Sequence, residues 1–157
     1  MDPFIKEIQH INNVEDAINK LNTQTEISQK LNEIINFIIQ AHEGQYRKSG
    51  EPYCVHPILV ASITAHFSKD EAIIATALLH DVVEDTKYSL DYIKERWGSD
   101  IAHMVDGLTK IVEIREHEFI ASSDASDAKI ISSALTFRKM LIASIDDVRV
   151  LIVKLCD

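Results

Sequence analysis

The chain predicts an all-α fold, and three observations carry the prediction. Gly 4 and Pro 3 are too scarce in 157 residues for the many tight turns of an all-β domain. Ile, Leu and Ala dominate while aromatic residues make up 6%, a composition suited to packed helices. Leu31, Ile34, Ile35, Ile38 and Ile39 recur at helical spacing, and similar amphipathic segments follow along the chain. With 46% hydrophobic residues, the chain can build one domain with a real core.

Taken in order, Phe4–Ile11 and Val14–Leu21 read as short amphipathic segments split by Asn12-Asn13, a capping pair. Asn22-Thr23-Gln24-Thr25 signals the next helix, Glu26 to about His42, against which the first two segments are expected to pack. His42–Pro57 is polar and irregular; Gly44 can end the preceding helix, and Ser49-Gly50-Glu51-Pro52 reads as a turn. His56 precedes Pro57, which favours a first helical position, so His56 is expected at the start of a helix over Ile58–Phe67. The central helix starts near Lys69-Asp70-Glu71. Ser89–Trp97 and Asp100–Leu108 follow, divided by Gly98. Lys110–Ser133 lacks a sustained apolar face and reads as a mobile flap or long connection. Ala134–Ile145 is helical again, and Val148–Cys156 is strongly apolar. The sequence stops at Asp157 inside that apolar stretch, which leads to the expectation of a C-terminally truncated piece of a longer protein.

The formal charge of −9 argues against a general nucleic-acid binder, which would carry a basic face. No apolar run approaches a membrane span, and Met1-Asp2-Pro3-Phe4 does not start a signal peptide. Cys54 and Cys156 make no disulfide framework, so a reduced, cytoplasmic setting is expected and both read as packing residues.

The chemistry concentrates in Ala77-Leu78-Leu79-His80-Asp81-Val82-Val83-Glu84-Asp85. On a continuous helix His80 lies one turn below Glu84, and Asp81 one turn below Asp85. Apolar residues fill the rest of the circumference, so burying these groups together calls for a cation or hydrogen bonds. His56, His80, Asp81 and Asp157 form a mixed nitrogen and oxygen set that suits Mn²⁺, Fe²⁺ or Zn²⁺. Glu84 and Asp85 lie one turn beyond, in reach of a water molecule. A structural alternative is an ion-pair network, although no Lys or Arg lies between Asp70 and Lys87. Arg47 and Lys48 read by composition as a solvated turn. His10, His42, His66, His103 and His117 have no acidic partners in a pattern and read as surface or packing residues.

The stretches Gly44-Gln45-Tyr46-Arg47-Lys48-Ser49-Gly50-Glu51-Pro52-Tyr53, His56-Pro57 and Leu78-Leu79-His80-Asp81-Val82-Val83-Glu84-Asp85-Thr86 together resemble the RelA/SpoT family. The match is to the N-terminal HD hydrolase domain of its bifunctional members. Asp106-Gly107-Leu108-Thr109-Lys110, Phe137–Leu141 and Arg149–Asp157 follow the same pattern in order, so the resemblance covers roughly Ile27 to Asp157. It implies an HD-domain helical bundle over 25–157, with 1–24 packing on it as N-terminal helices. The implied reaction is Mn²⁺-dependent removal of the 3′-pyrophosphate of guanosine tetra- or pentaphosphate (ppGpp, pppGpp), the alarmone turnover of the stringent response. Carried over by position, His56, His80, Asp81 and Asp157 are the implied metal ligands. Glu84 and Asp85 are the implied catalytic pair, and Arg47, Lys48 and Ser49 the implied nucleotide-binding residues, with Arg47 stacking on guanine. The resemblance also implies synthetase and regulatory domains in a parent chain. Two departures stand out: the family continues past the last Asp with Arg-Leu-His-Asn, and Lys110–Ser133 is longer than usual. The competing expectations are a catalytically silent nucleotide-binding module and a phosphohydrolase acting on another nucleotide.

Overall fold

Every residue of the segment Ile73–Leu79 is buried, which makes its helix the hub of the domain. A helix that is apolar all round belongs inside a bundle, with neighbours on every side. The computed structural model describes residues 2–121, 131, 134, 135, 137, 138 and 147–157. Among them the elements are α1 (Pro3–Ile8), α2 (Val14–Gln24), α3 (Gln29–Ala41), α4 (Val55–Phe67), α5 (Glu71–Leu79), α6 (Val82–Asp85), α7 (Leu90–Trp97), α8 (Ser99–Ala121) and α9 (Val148–Cys156). No strand occurs among the described residues, in line with the all-α expectation. Helices α3, α4, α8 and α9 all pack against α5. The buried hydroxyls of Ser62 and Thr64 in α4 and Thr76 in α5 each donate to the carbonyl one turn back, which satisfies them inside the core.

The helix starts follow capping chemistry. Asn13 accepts from the Asp16 amide at 2.9 Å, Ser28 from Leu31 at 3.2 Å and Ser89 from Tyr92 at 3.2 Å. Asn22–Gln24 therefore close α2 rather than open α3, whose cap is Ser28. Helix α2 lies chiefly against α4, not against α3 as expected. Helix α4 starts at Val55, earlier than the expected Ile58, because Pro57 fits the first turn, where its missing N–H is not needed.

The expected irregular connection from Lys110 is corrected as far as Ala121. Helix α8 runs unbroken from Ser99 to Ala121, carried by good helix formers such as Glu, Arg and Ala. The rest of that stretch, and most of the helix expected over Ala134–Ile145, lies outside the described residues. Ala134, Leu135, Phe137 and Arg138 are helical.

Helix α9 presents Asp157 and is fixed at both its start and its flank. Gly107 in α8 permits the close approach of Val150, since a Cβ there would sit 3.1 Å from Val150 Cγ2. At its start, Arg149 forks onto Asp100 at 2.6 and 2.9 Å and onto the N-capping Asp147 at 2.7 and 2.9 Å. Those hydrogen bonds hold both carboxyls below their usual range. The clamp is solvent-facing, so its worth is about 1 kcal/mol rather than several. Arg149→Ala is expected to lower the melting temperature by roughly 2–4 °C at neutral pH. Depressed carboxyl pKa values stabilise above about 4, the unfolded aspartate value, and that stabilisation is lost as pH falls through the folded values. The melting gap between wild type and variant should therefore close in acid; a pH-independent gap would show that the charges are not its source.

Candidate metal centre

The centre begins where α5 stops. The continuous helix expected through Ala77–Asp85 breaks at His80–Asp81, and Asp81 adopts φ −100° and ψ −3°, in the bridge region. The Asp85 amide still bonds the Asp81 carbonyl at 3.0 Å, so these two carboxylates remain one turn apart. His80 turns inward and is 4% exposed, whereas Asp81 is half-buried and Glu84 and Asp85 are exposed. The four groups are thus not buried together. His80 Nδ1 lies 2.6 Å from the Ala77 carbonyl; a carbonyl only accepts, so Nδ1 carries the proton. That bond leaves Nε2 as the available ring nitrogen.

Helix α9 and the first turn of α4 complete the cluster. Asp157 Oδ1 lies 2.8 Å from His56 Nε2 and 3.2 Å from His80 Nε2. His56, His80 and Asp157 can each offer one ligand atom, all within 4.8 Å of one another. Asp81 Oδ2 borders this triad, 3.0 Å from His80 Nε2 and 3.8 Å from His56 Nε2. The second oxygen of Asp157 faces away, toward Lys154 Nζ at 3.1 Å.

The electrostatics favour a cation at this point. Burial alone would push the His80 imidazole down, but the facing carboxylates of Asp157 and Asp81 outweigh it and hold it up at about 10. Asp157 is burdened by its own burial, yet His56 and His80 hold it well below the usual carboxylate range. Asp81 is lowered in the same way, against burial, mainly by His80. His80 Nε2 is buried, and among the described groups no acceptor meets it at hydrogen-bonding angles, although two carboxylate oxygens lie within 3.2 Å. A proton on that nitrogen is poorly aimed, and a lone pair there faces negative charge; a cation between the donors resolves both. Two imidazole nitrogens with carboxylate oxygens therefore fit a divalent transition ion.

Glu84 and Asp85 stand beside the cluster on α6. Although Glu84 is exposed overall, its carboxyl is partly desolvated, and that desolvation, then the charges of Asp81 and Asp85, push it up to about 7. At neutral pH it is poised between its two protonation states.

Arg47, Lys48 and Ser49 occupy the exposed tip of a hairpin between α3 and α4. The Arg47 amide donates to Glu51 at 3.0 Å, and the Gly50 amide donates back to Arg47 at 2.9 Å. Gly50 has φ +99°, a conformation that side-chain-bearing residues resist. Ser49 donates to the Glu51 carboxylate at 2.9 Å and is the main cause of that group's lowered pKa. At the hairpin base, Gln45 Nε2 donates to the Asp85 carbonyl at 2.7 Å. The Tyr53 hydroxyl faces Asp81 Oδ2 at 2.8 Å and Asp85 Oδ2 at 3.1 Å. Sequence reasoning did not single out Gln45, Tyr53 or Lys154. The three-residue spacing of Lys154 and Asp157 was a usable signal for the last.

The sequence pattern of the HD-domain family matches residues 35–157. The chain belongs to the HD-domain family. It is 48% identical over 118 residues to a GTP pyrophosphokinase of Myxococcus xanthus, a span covering 75% of this chain and 15% of that protein. It is 43% identical over 117 residues to guanosine-3′,5′-bis(diphosphate) 3′-pyrophosphohydrolase of Haemophilus influenzae, covering 74% of this HD domain chain and 16% of the relative. The bifunctional (p)ppGpp synthase/hydrolase SpoT of Escherichia coli is 39% identical over 117 residues, 74% of this chain and 15% of its own. The HD domain chain thus spans about 15% of the length of these relatives. Among the described residues, no helix is long and apolar enough to cross a membrane.

Proposed function

We propose that this HD domain removes the 3′-pyrophosphate of guanosine tetra- or pentaphosphate, giving GDP or GTP and pyrophosphate, with Mn²⁺ as its ion. The observation that carries the reading is the convergence of His56, His80 and Asp157 on one point, with Asp81 at its border. The pyrophosphohydrolase names of the relatives supply the substrate class.

In this reading His56, His80, Asp81 and Asp157 hold the ion. Bound there, a divalent ion supplies Lewis acidity toward a phosphoryl oxygen and toward water at neutral pH. Cleavage joins a water oxygen to the phosphorus at the ribose 3′ position and breaks that phosphorus–oxygen bond. The attacking water must lose a proton and the departing 3′ oxygen must gain one. Glu84, with its carboxyl near neutrality, takes the first proton. Asp85, its neighbour on α6, is the second group of the pair. Arg47 and Lys48 bring positive charge to the nucleotide, and the Arg47 guanidinium offers a flat face to guanine. The site of action is the cytoplasm, in a chain that also carries synthetase and regulatory domains.

The test is product analysis. Incubation of this chain with ppGpp and Mn²⁺ should yield GDP and pyrophosphate in equal amounts. Arg47→Ala should raise KM several-fold and leave kcat largely intact, because the contact is the same in ground and transition states. Release of single phosphates instead of pyrophosphate would exclude the proposed bond.

A further inference from the structure

We propose that Tyr53 is a positioning residue: its hydroxyl, carried at the base of the hairpin that holds Arg47, donates its one proton to Asp81 at 2.8 Å and sets that carboxylate, with Asp85 beside it at 3.1 Å. The inference rests on the reading of those two residues given above and extends it to a group outside the expected site.

Three features single out this phenol. First, it meets two carboxylates of the α6 turn, Asp81 at its start and Asp85 at its end, at 2.8 Å and 3.1 Å, from a loop 28 and 32 residues earlier in the chain. Second, the oxygen it meets on Asp81 is the same Oδ2 that faces His80 and His56. A donor on that oxygen restrains the carboxylate and would leave its other lone pair free for an ion. Third, the ring is itself held. The Tyr53 amide donates to the Gln45 carbonyl at 2.9 Å, and the ring lies 4.9 Å from His42 and 6.2 Å from His56 between centroids. Gln45, in turn, takes a hydrogen bond from the buried His42 at 2.9 Å and passes one to the Asp85 backbone. The hairpin that carries Arg47 is therefore registered against α6 by one side-chain bond and one phenol, and only the phenol reaches the carboxylates.

A bland role is available to any half-buried tyrosine: filling space and capping carboxylates for stability alone. The two roles separate in metal binding. An outer partner of a ligand typically contributes 10–100-fold to metal affinity. The chain is titrated with Mn²⁺ alone, following the unbound ion by its paramagnetic signal, in wild type, Tyr53→Phe and two site-specific replacements. These are 4-fluorophenylalanine, which fills the para position without a donor, and 4-aminophenylalanine, which restores a donor there. Affinity is expected to fall roughly 10–100-fold in the Phe and fluoro forms and to recover in the amino form. On ppGpp the Phe form should lose kcat with KM little changed. Wild-type affinity in the Phe and fluoro forms would overturn the proposal, as would a melting-temperature loss with affinity intact. Equal loss in all three replacements would assign the effect to ring shape and also overturn it. Absence of Mn²⁺ binding by the wild type would overturn this proposal and the metal reading together. Binding without ppGpp turnover would count against the substrate only.

Discussion

Asp81→Ala leaves the chain folded, weakens divalent-metal binding by more than roughly 100-fold and removes measurable release of pyrophosphate from ppGpp. The bound on affinity follows from what even an outer partner contributes; a ligand contributes more. The substitution takes away the carboxylate nearest His80 Nε2, at 3.0 Å, and leaves the imidazoles with Asp157 alone. Folding should survive, because Asp81 is half-buried, its backbone bond to Asp85 does not need the side chain, and the core around Leu78 and Leu79 is untouched. Circular dichroism, Mn²⁺ titration and pyrophosphate release together check the prediction. Retained turnover with the ion still bound would mean that Asp81 is not one of its ligands.

Glu84→Gln should act on chemistry rather than on binding. The ion is expected to bind as in wild type, while kcat falls by about 10²–10⁴-fold, the usual contribution of a positioned acid–base group. The pH profile supplies the sign. Partial desolvation of the carboxyl and the neighbouring charges of Asp81 and Asp85 raise Glu84 from the ordinary glutamate value of roughly 4.3 to about 7. A nearby cation draws it back down from there. In the metal-bound enzyme the base form is therefore lost at a pH below that value, and the wild-type rate should show an acid limb that the glutamine variant lacks. Stability moves the other way. A carboxyl raised in the folded state costs stability as pH climbs from its unfolded value through its folded one. In the metal-free chain Glu84→Gln should thus melt higher than wild type above pH 7. A variant that is less active, equally metallated and more stable cannot be explained by misfolding.

Much of the fold was legible because local chemistry decides it. Asn13 and Ser89 cap where their side chains can accept amide bonds, Gly98 with φ +102° separates α7 from α8, and the apolar repeat of Leu31–Ile38 gives α3 its buried face. The misses have physical causes. Beyond Lys110, periodicity is weak, but intrinsic propensity still carries α8 to Ala121. The break at His80–Asp81 is invisible to local pattern, since the apolar run continues straight through it. It is accompanied by the inward bond to Ala77 and by contacts with Asp157, a residue that reaches His56 across 101 positions of sequence. Composition and spacing could gather His56, His80, Asp81 and Asp157 as a donor set but could not choose the ion. Arg47 and Lys48 read by composition as an ordinary polar turn, and only the resemblance implies a role for them. Tyr53 lies inside a motif whose charged members draw the functional reading, and its contacts with the carboxylates come from long-range folding.

The proposed function rests on one divalent-ion site built on His80. It is tested most directly by stripping the chain with a chelator, restoring Mn²⁺ in steps and recording bound ion and pyrophosphate release from ppGpp on the same samples, with His80→Ala in parallel. The account predicts no release from the stripped protein, release rising in proportion to occupancy of a single site, and neither tight binding nor release in His80→Ala. Pyrophosphate release that persists without the ion, or that survives in His80→Ala, would contradict it.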